Sequence, residues 1–112
     1  MELKDRIEIK EGRLAISGCD SVELAQKYGT PLYVLDENTI RTTCRSYVES
    51  FKKFYNGNGM PLYASKALSC KELCRIANEE HLGLDVVSGG EIYTAQQAGF
   101  PMEKTHFHGN NK

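Results

Sequence analysis

The 112-residue chain carries 14 lysines and arginines against 15 aspartates and glutamates, a formal net charge of −1, with 40% hydrophobic and 26% charged residues. Those proportions are globular and exclude a chain held disordered by charge; without a run of like charge they also argue against a nucleic-acid surface or a polybasic membrane patch. No apolar run approaches the roughly 18 residues of a membrane span, and Met1-Glu2-Leu3-Lys4-Asp5-Arg6 lacks the apolar core of a signal peptide, so a cytoplasmic chain with no membrane or nucleic-acid partner is expected.

Cys19, Cys44, Cys70 and Cys74 form no CxxC pattern, and His81 is too far away to complete a metal finger. Reduced, partly buried thiols are expected, and no metal site.

In chain order, Arg6 to Ile16 suggests a hairpin: Ile7 and Ile9 alternate with charged neighbours, Glu11-Gly12 supplies the turn, and Leu14 and Ile16 return. Asp20 can cap a short helix, Ser21 to Lys27, that Gly29 stops. Thr30 to Leu35 is an extended apolar run, with Pro31 tolerable at its start. Asp36 or Asn38 begins the longest helix, where Ile40, Cys44, Tyr47, Val48, Phe51, Phe54 and Tyr55 recur at helical spacing as one wide, core-facing stripe. Asn56-Gly57-Asn58-Gly59 ends it.

From Leu62 the chain repeats a unit. Strands are predicted near Leu62, Leu84 and Thr105, about 22 residues apart, the last running to Asn110, with a helix in each gap. Ser69-Cys70-Lys71-Glu72 reads as the capping box of the first gap helix, which presents Leu73, Ile76 and Ala77 on one face and stops at Gly83. Ser88-Gly89-Gly90-Glu91 reads as the capping box of the second, which ends at Ala98-Gly99-Phe100-Pro101. Such a succession makes a parallel sheet, with an inner face of Leu62, Ala64 and Val86 or Val87. Its C-terminal edge should collect Lys66, Asp85 and His108.

Lys66 concentrates the chemistry. On a strand, Leu62, Ala64 and Lys66 share one face and Tyr63 and Ser65 the other. A lysine at a strand end before a βα turn can act as a nucleophilic amine, or can simply snorkel into solvent. Asp85, level with it on the next strand, fits either a charge partner or a structural acid. Glu91 is explained by its place in the capping box. Ser88-Gly89-Gly90 presents backbone amides at a helix start and is by itself a candidate for a phosphate. His106 and His108 share one face of the last strand, with no acid or cysteine at a spacing that suggests zinc.

Three segments add a resemblance. Tyr63-Ala64-Ser65-Lys66-Ala67 resembles the cofactor-lysine segment of the alanine-racemase-like, fold-type III pyridoxal-phosphate-dependent decarboxylases. Gly83 to Glu91 resembles their next strand and turn. His108-Gly109-Asn110-Asn111-Lys112 resembles a third segment, in the form carried by the branch that acts on meso-diaminopimelate. The resemblance runs in order from about Tyr28 to Lys112 and implies the N-terminal portion of a (β/α)8 TIM-type barrel, with residues 1–36 as a segment of a separate antiparallel β domain and 37–112 as about three βα units. It implies pyridoxal 5'-phosphate bound covalently at Lys66, with Asp85, Glu91 and His108 beside the cofactor, a small amino-acid substrate, and a homodimer for the complete protein. The expected reaction is decarboxylation of diaminopimelate to lysine. The alternatives are a sister enzyme acting on ornithine, arginine or carboxynorspermidine, or a non-catalytic homologue that binds a partner. Eight βα units need roughly 250 residues. The resemblance places the phosphate on glycine-rich turns further along, so Gly89 and Gly90 are ranked as a close-approach turn. Those turns, the acid for the pyridine nitrogen, the substrate-reading arginines and a cysteine lent by the dimer partner are not among these 112, and the chain is expected to be an N-terminal fragment, inactive and aggregation-prone alone.

Overall fold

Two turns with the same backbone signature shape the first part of the chain. In the computed structural model, which describes residues 6–109, Glu11-Gly12 and Ser17-Gly18 all take positive φ, as tight two-residue hairpin turns require. The first joins β1 (Ile7–Lys10) to β2 (Arg13–Ile16), pairing Ile7 with Ile16 and Lys10 with Arg13. The second joins β2 to a strand the sequence reading missed, β3 (Cys19–Asp20); the repeated X-Gly turn was its signal. Asp20 then caps α1 (Ser21–Tyr28), its Oδ1 accepting from the amides of Val22 at 2.7 Å and Glu23 at 3.2 Å, and Gly29 ends the helix.

Thr30 to Leu35, expected to be a strand, joins no sheet among the described residues. The run is apolar enough for a strand, yet its Tyr33 and Leu35 are exposed, because no described strand lies beside it. Asp36 restores order. It accepts from both Arg6 Nη1 (2.8 and 3.0 Å) and Ser17 Oγ (2.6 Å), and from the Asn38 amide (3.0 Å) at the start of α2 (Glu37–Tyr55). The chain divides into two compact units between Asn38 and Thr39.

In the second unit, β4 (Leu62–Ala64), β5 (Gly83–Val86) and β6 (Thr105–Phe107) form a parallel sheet in that order, with α3 (Lys71–Glu79) and α4 (Gly89–Gln97) in the gaps. Alternation sends Leu84 and Val86 to one face, where they are fully buried among Cys74, Ala77, Leu82, Ala95 and Phe100, with Tyr63 and Phe107 packed alongside. Of the pair Val86 or Val87 expected on the inner face, Val86 therefore belongs instead to the helix-covered side. The opposite face carries Leu62, Ala64, Asp85 and His106, with Ala64, Asp85 and His106 in one lateral row. β6 ends at Phe107, short of the expected Asn110, which lies outside the described residues.

Two other expectations are corrected. The stripe on α2 is narrower than its periodicity suggested: Cys44 and Val48 pack against the core, while Tyr47, Phe54 and Tyr55 remain exposed. Gly83 does not stop α3. That helix ends at Glu79, and Gly83 opens β5 at a point where an added Cβ would lie 2.5 Å from Leu62 Cδ2 and 2.6 Å from the Lys104 carbonyl oxygen. The close approach that the sequence assigned to Gly89 and Gly90 belongs here; beside those two a Cβ meets nothing nearer than 3.9 Å.

Helices α3 and α4 end alike. Leu82 donates to the Ala77 carbonyl (2.8 Å) and His81 to that of Asn78 (3.1 Å), just as Phe100 donates to Ala95 (3.0 Å) and Gly99 to Gln96 (3.0 Å). Both are Schellman ends that deliver a buried apolar residue, Leu82 or Phe100, to the core. The left-handed position is a glycine in α4 (φ 70) but a histidine in α3 (φ 65).

A charge network ties α2 to the end of α3. Glu80, with its side chain 8% exposed, accepts from Arg45 Nε (2.6 Å) and Arg41 Nη1 (2.9 Å), Arg41 also reaches Glu79 (2.6 Å), and Arg75 bonds both Glu72 and Glu79. Hydrogen bonds from Arg45 and then Arg41 hold the Glu80 carboxyl down to about 2, from an ordinary 4.5.

Two stability predictions follow from these ends and charges. His81→Gly should raise the urea midpoint by the equivalent of about 1 kcal/mol, because it removes a left-handed side chain, and Gly99→Ala should lower it by a similar amount. Because the Glu80 value is depressed on folding, its contribution is complete above pH 4.5 and is lost as pH falls towards about 2. Glu80→Gln should cost about 1–2 kcal/mol at neutral pH, and unfolding midpoints measured from pH 5 to 2 should fall less steeply in the variant than in the parent.

Candidate active site

The strand leading to Lys66 stops earlier than its alternation implied. β4 ends at Ala64, and Ser65–Ala67 form a single turn of 3-10 helix, so Lys66 rides on a turn at the C-terminal edge of the sheet. The side chains around it explain why. Ser65, 1% exposed, donates to Glu91 Oε1 at 2.6 Å and lies 3.1 Å from the Asp85 carbonyl oxygen. Tyr63, its ring against the core, donates its hydroxyl to the Leu68 carbonyl at 3.0 Å. The turn is thus tied down on both sides of Lys66, while Lys66 itself is exposed. Neither hydroxyl was singled out from sequence, although both fall on the face destined for the helices, where a buried hydroxyl needs a partner.

The expected capping box at Ser69 does not form. α3 starts at Lys71 with Cys70 in the N-cap position and no side-chain cap, which leaves Ser69 one residue too early to reach the free amides. The second box does form. Ser88 Oγ accepts from the Glu91 amide (3.3 Å) and donates to Glu91 Oε2 (2.6 Å), and the same Oε2 accepts from the Val87 amide (3.2 Å), one residue before the usual position. Glu91 is only 7% exposed. Hydrogen bonds from Ser65, then Ser88, hold its carboxyl below the ordinary value, so it is a buried anion met by three donors.

Asp85 and His108 meet. His108 Nε2 lies 2.9 Å from the Asp85 carboxylate, which is mostly covered, while the imidazole is largely exposed. The His108 amide donates to the Val86 carbonyl (3.1 Å) and so extends the β5–β6 ladder one residue past β6. His106 stands in the lateral row of Asp85 but is not the histidine that bonds it. Asn110, Asn111 and Lys112 of the third segment lie outside the described residues.

Lys66, Asp85 and His108 therefore occupy the ends of three neighbouring strands on one edge. Among the described residues the lysine amine makes no bond to either of the other two. An accessible primary amine on a fixed turn, beside an acid–imidazole pair, fits a carbonyl cofactor that bonds a lysine. Among the described residues no three His, Cys, Asp or Glu side chains gather to hold a metal, and no helix is long and apolar enough to cross a membrane.

Residues 37–112 match the family described as pyridoxal-dependent decarboxylase, pyridoxal binding domain, and the chain belongs to that family. Its parallel sheet and helices are βα units of the (β/α)8 barrel, and the cofactor of the family is a pyridoxal. Over 103 residues the chain is 53% identical to the diaminopimelate decarboxylase of Bacillus methanolicus, covering 92% of this chain and 24% of that protein. A crystal structure of diaminopimelate decarboxylase from Methanocaldococcus jannaschii is similar with a TM-score of 0.81 and 42% identity, covering 94% of this chain and 25% of that one. The same enzyme in complex with L-lysine gives 0.82 at 42% identity, covering 98% of this chain and 26% of that one. The chain spans about a quarter of the length of the curated relatives it matches.

Proposed function

We propose that the complete protein decarboxylates meso-2,6-diaminopimelate to L-lysine, with pyridoxal 5'-phosphate bound at Lys66. The observation that carries this is the accessible Lys66 amine on a turn fixed from both sides at the C-terminal edge of the sheet, in a chain of this family. The relatives named as diaminopimelate decarboxylases support the substrate, as does the lysine bound to one of them, since lysine is the product of that reaction.

The cofactor, when bound, supplies an electron-withdrawing ring that takes up the electron pair left on the substrate carbon as carbon dioxide departs. The chain's own residues do the rest. Lys66 would offer the amine that holds the cofactor. Asp85 places a negative charge on the neighbouring strand end and favours a proton on a nitrogen brought near it. His108, bonded to that carboxylate, sets its direction. The complete protein works as a cytoplasmic homodimer.

Borohydride reduction of the complete protein followed by peptide mapping should place the cofactor on Lys66; a label on another lysine overturns the assignment. Turnover of diaminopimelate should exceed that of ornithine, arginine and carboxynorspermidine, and a purified protein without the cofactor's visible band would favour a non-catalytic binding role. Asp85→Asn should lower the decarboxylation rate while changing stability by less than about 1 kcal/mol. A variant that loses stability and keeps its turnover would make Asp85 a structural acid.

A further inference from the structure

Glu91 does more than a capping glutamate needs to do. The cap uses Oε2, which takes the Ser88 hydroxyl and the Val87 amide. Those two bonds account for the start of α4. Oε1 is turned the other way and takes the hydroxyl of Ser65, on the turn that follows β4 and 26 residues earlier in the chain. A glutamate at this place in a cap ordinarily lies at the helix surface. Here the carboxylate is buried and spans from the start of one helix to the lysine-bearing turn of the preceding βα unit.

We infer that Glu91 is a positioning residue for Lys66, acting through the Ser65 hydroxyl to set the direction in which the lysine leaves the sheet. The inference rests on Lys66 being the cofactor lysine. Ser65 has one hydroxyl proton, and a 2.6 Å bond to an anion is the stronger of its two options, the Asp85 carbonyl lying at 3.1 Å. That bond fixes the Ser65 side chain, and with it the backbone from which Lys66 projects. The Tyr63 bond to Leu68 closes the turn on its far side, so neither end can swing independently. Because both Glu91 oxygens are engaged within the chain and the group is buried, its effect on a ligand at Lys66 passes through Ser65 and not by direct contact. Misplacing a reacting group by about 1 Å can cost on the order of a hundredfold in rate, which is the scale on which such a bond matters.

The test uses the complete protein with Ser65→Ala, Ser65→Thr, Glu91→Ala, the double variant Ser65→Ala/Glu91→Ala, and Ser88→Ala as a cap-only control. Three quantities are read: kcat and KM for diaminopimelate, the pH midpoint of the visible band of the lysine-bound cofactor, and the thermal midpoint. Ser65→Ala should lower kcat by roughly 10- to 100-fold with little change in KM and should displace the spectral midpoint. Ser65→Thr keeps the hydroxyl and should recover most of both. The double variant should be no worse than Glu91→Ala, as expected of groups acting in series. Ser88→Ala should lower the thermal midpoint without moving the spectral one. The inference is overturned if Ser65→Ala changes only the thermal midpoint, or if Glu91→Ala shifts the spectrum as strongly when Ser65 is already alanine. A parent protein with no visible band at all would overturn the Lys66 assignment itself, and that result is distinct from either.

Discussion

A buried carboxylate is costly unless its oxygens find donors, and Glu91 finds three. That requirement organises the working edge of the second unit. It draws Ser65 off the regular course of β4 into a turn, holds the Ser88 cap, and reaches the Val87 amide at the end of β5. Two consecutive βα units are thereby joined at the C-terminal edge of the sheet by one side chain. Replacing such a group by a hydrophobic one could leave the core intact; what would be lost is the relation between the lysine turn and the helix that follows.

The sheet has two faces with different chemistry. Leu84 and Val86 face the helices and are fully buried with Cys74 and Ala95. Ala64, Asp85 and His106 form a row on the other side, small or polar at each strand. An acid in the middle of a three-stranded sheet is intelligible if that face meets a polar ligand and not a hydrophobic layer. The Asp85–His108 pair at the strand ends continues the same polar character to the edge.

Local signals survived translation into structure where their partners were also local. The Glu11-Gly12 turn, the Asp20 cap and the Ser88–Glu91 box each close within a few residues, and each is present. The even spacing of Leu62, Leu84 and Thr105 foretold the parallel sheet because each unit must bury the same kind of helix against the same kind of strand. Signals that depend on distant partners misled. Gly83 looked like a helix stop, but its reason is the side chain of Leu62 and the carbonyl of Lys104. One local signal failed too: Ser69 carried a cap signature that the helix, starting two residues later, does not use. Thr30 to Leu35 had the composition of a strand but, among the described residues, no neighbour to pair with. At the site, Lys66, Asp85 and His108 were legible as strand-end residues, whereas the Ser65 bond was not, since its acceptor is 26 residues away and had already been explained as a cap.

The doubly anchored turn beneath Lys66 has a thermodynamic side. Fixing one residue's backbone costs roughly 1–2 kcal/mol of conformational entropy. Between Tyr63 and Leu68 that cost is met once, during folding, by the Ser65 and Tyr63 hydroxyl bonds. Any group that bonded the lysine would then have only the side chain to immobilise, a term of about 2 kcal/mol for a free lysine. The turn is thus a fixed platform, and the exposed Lys66 side chain is the part of it left to be ordered.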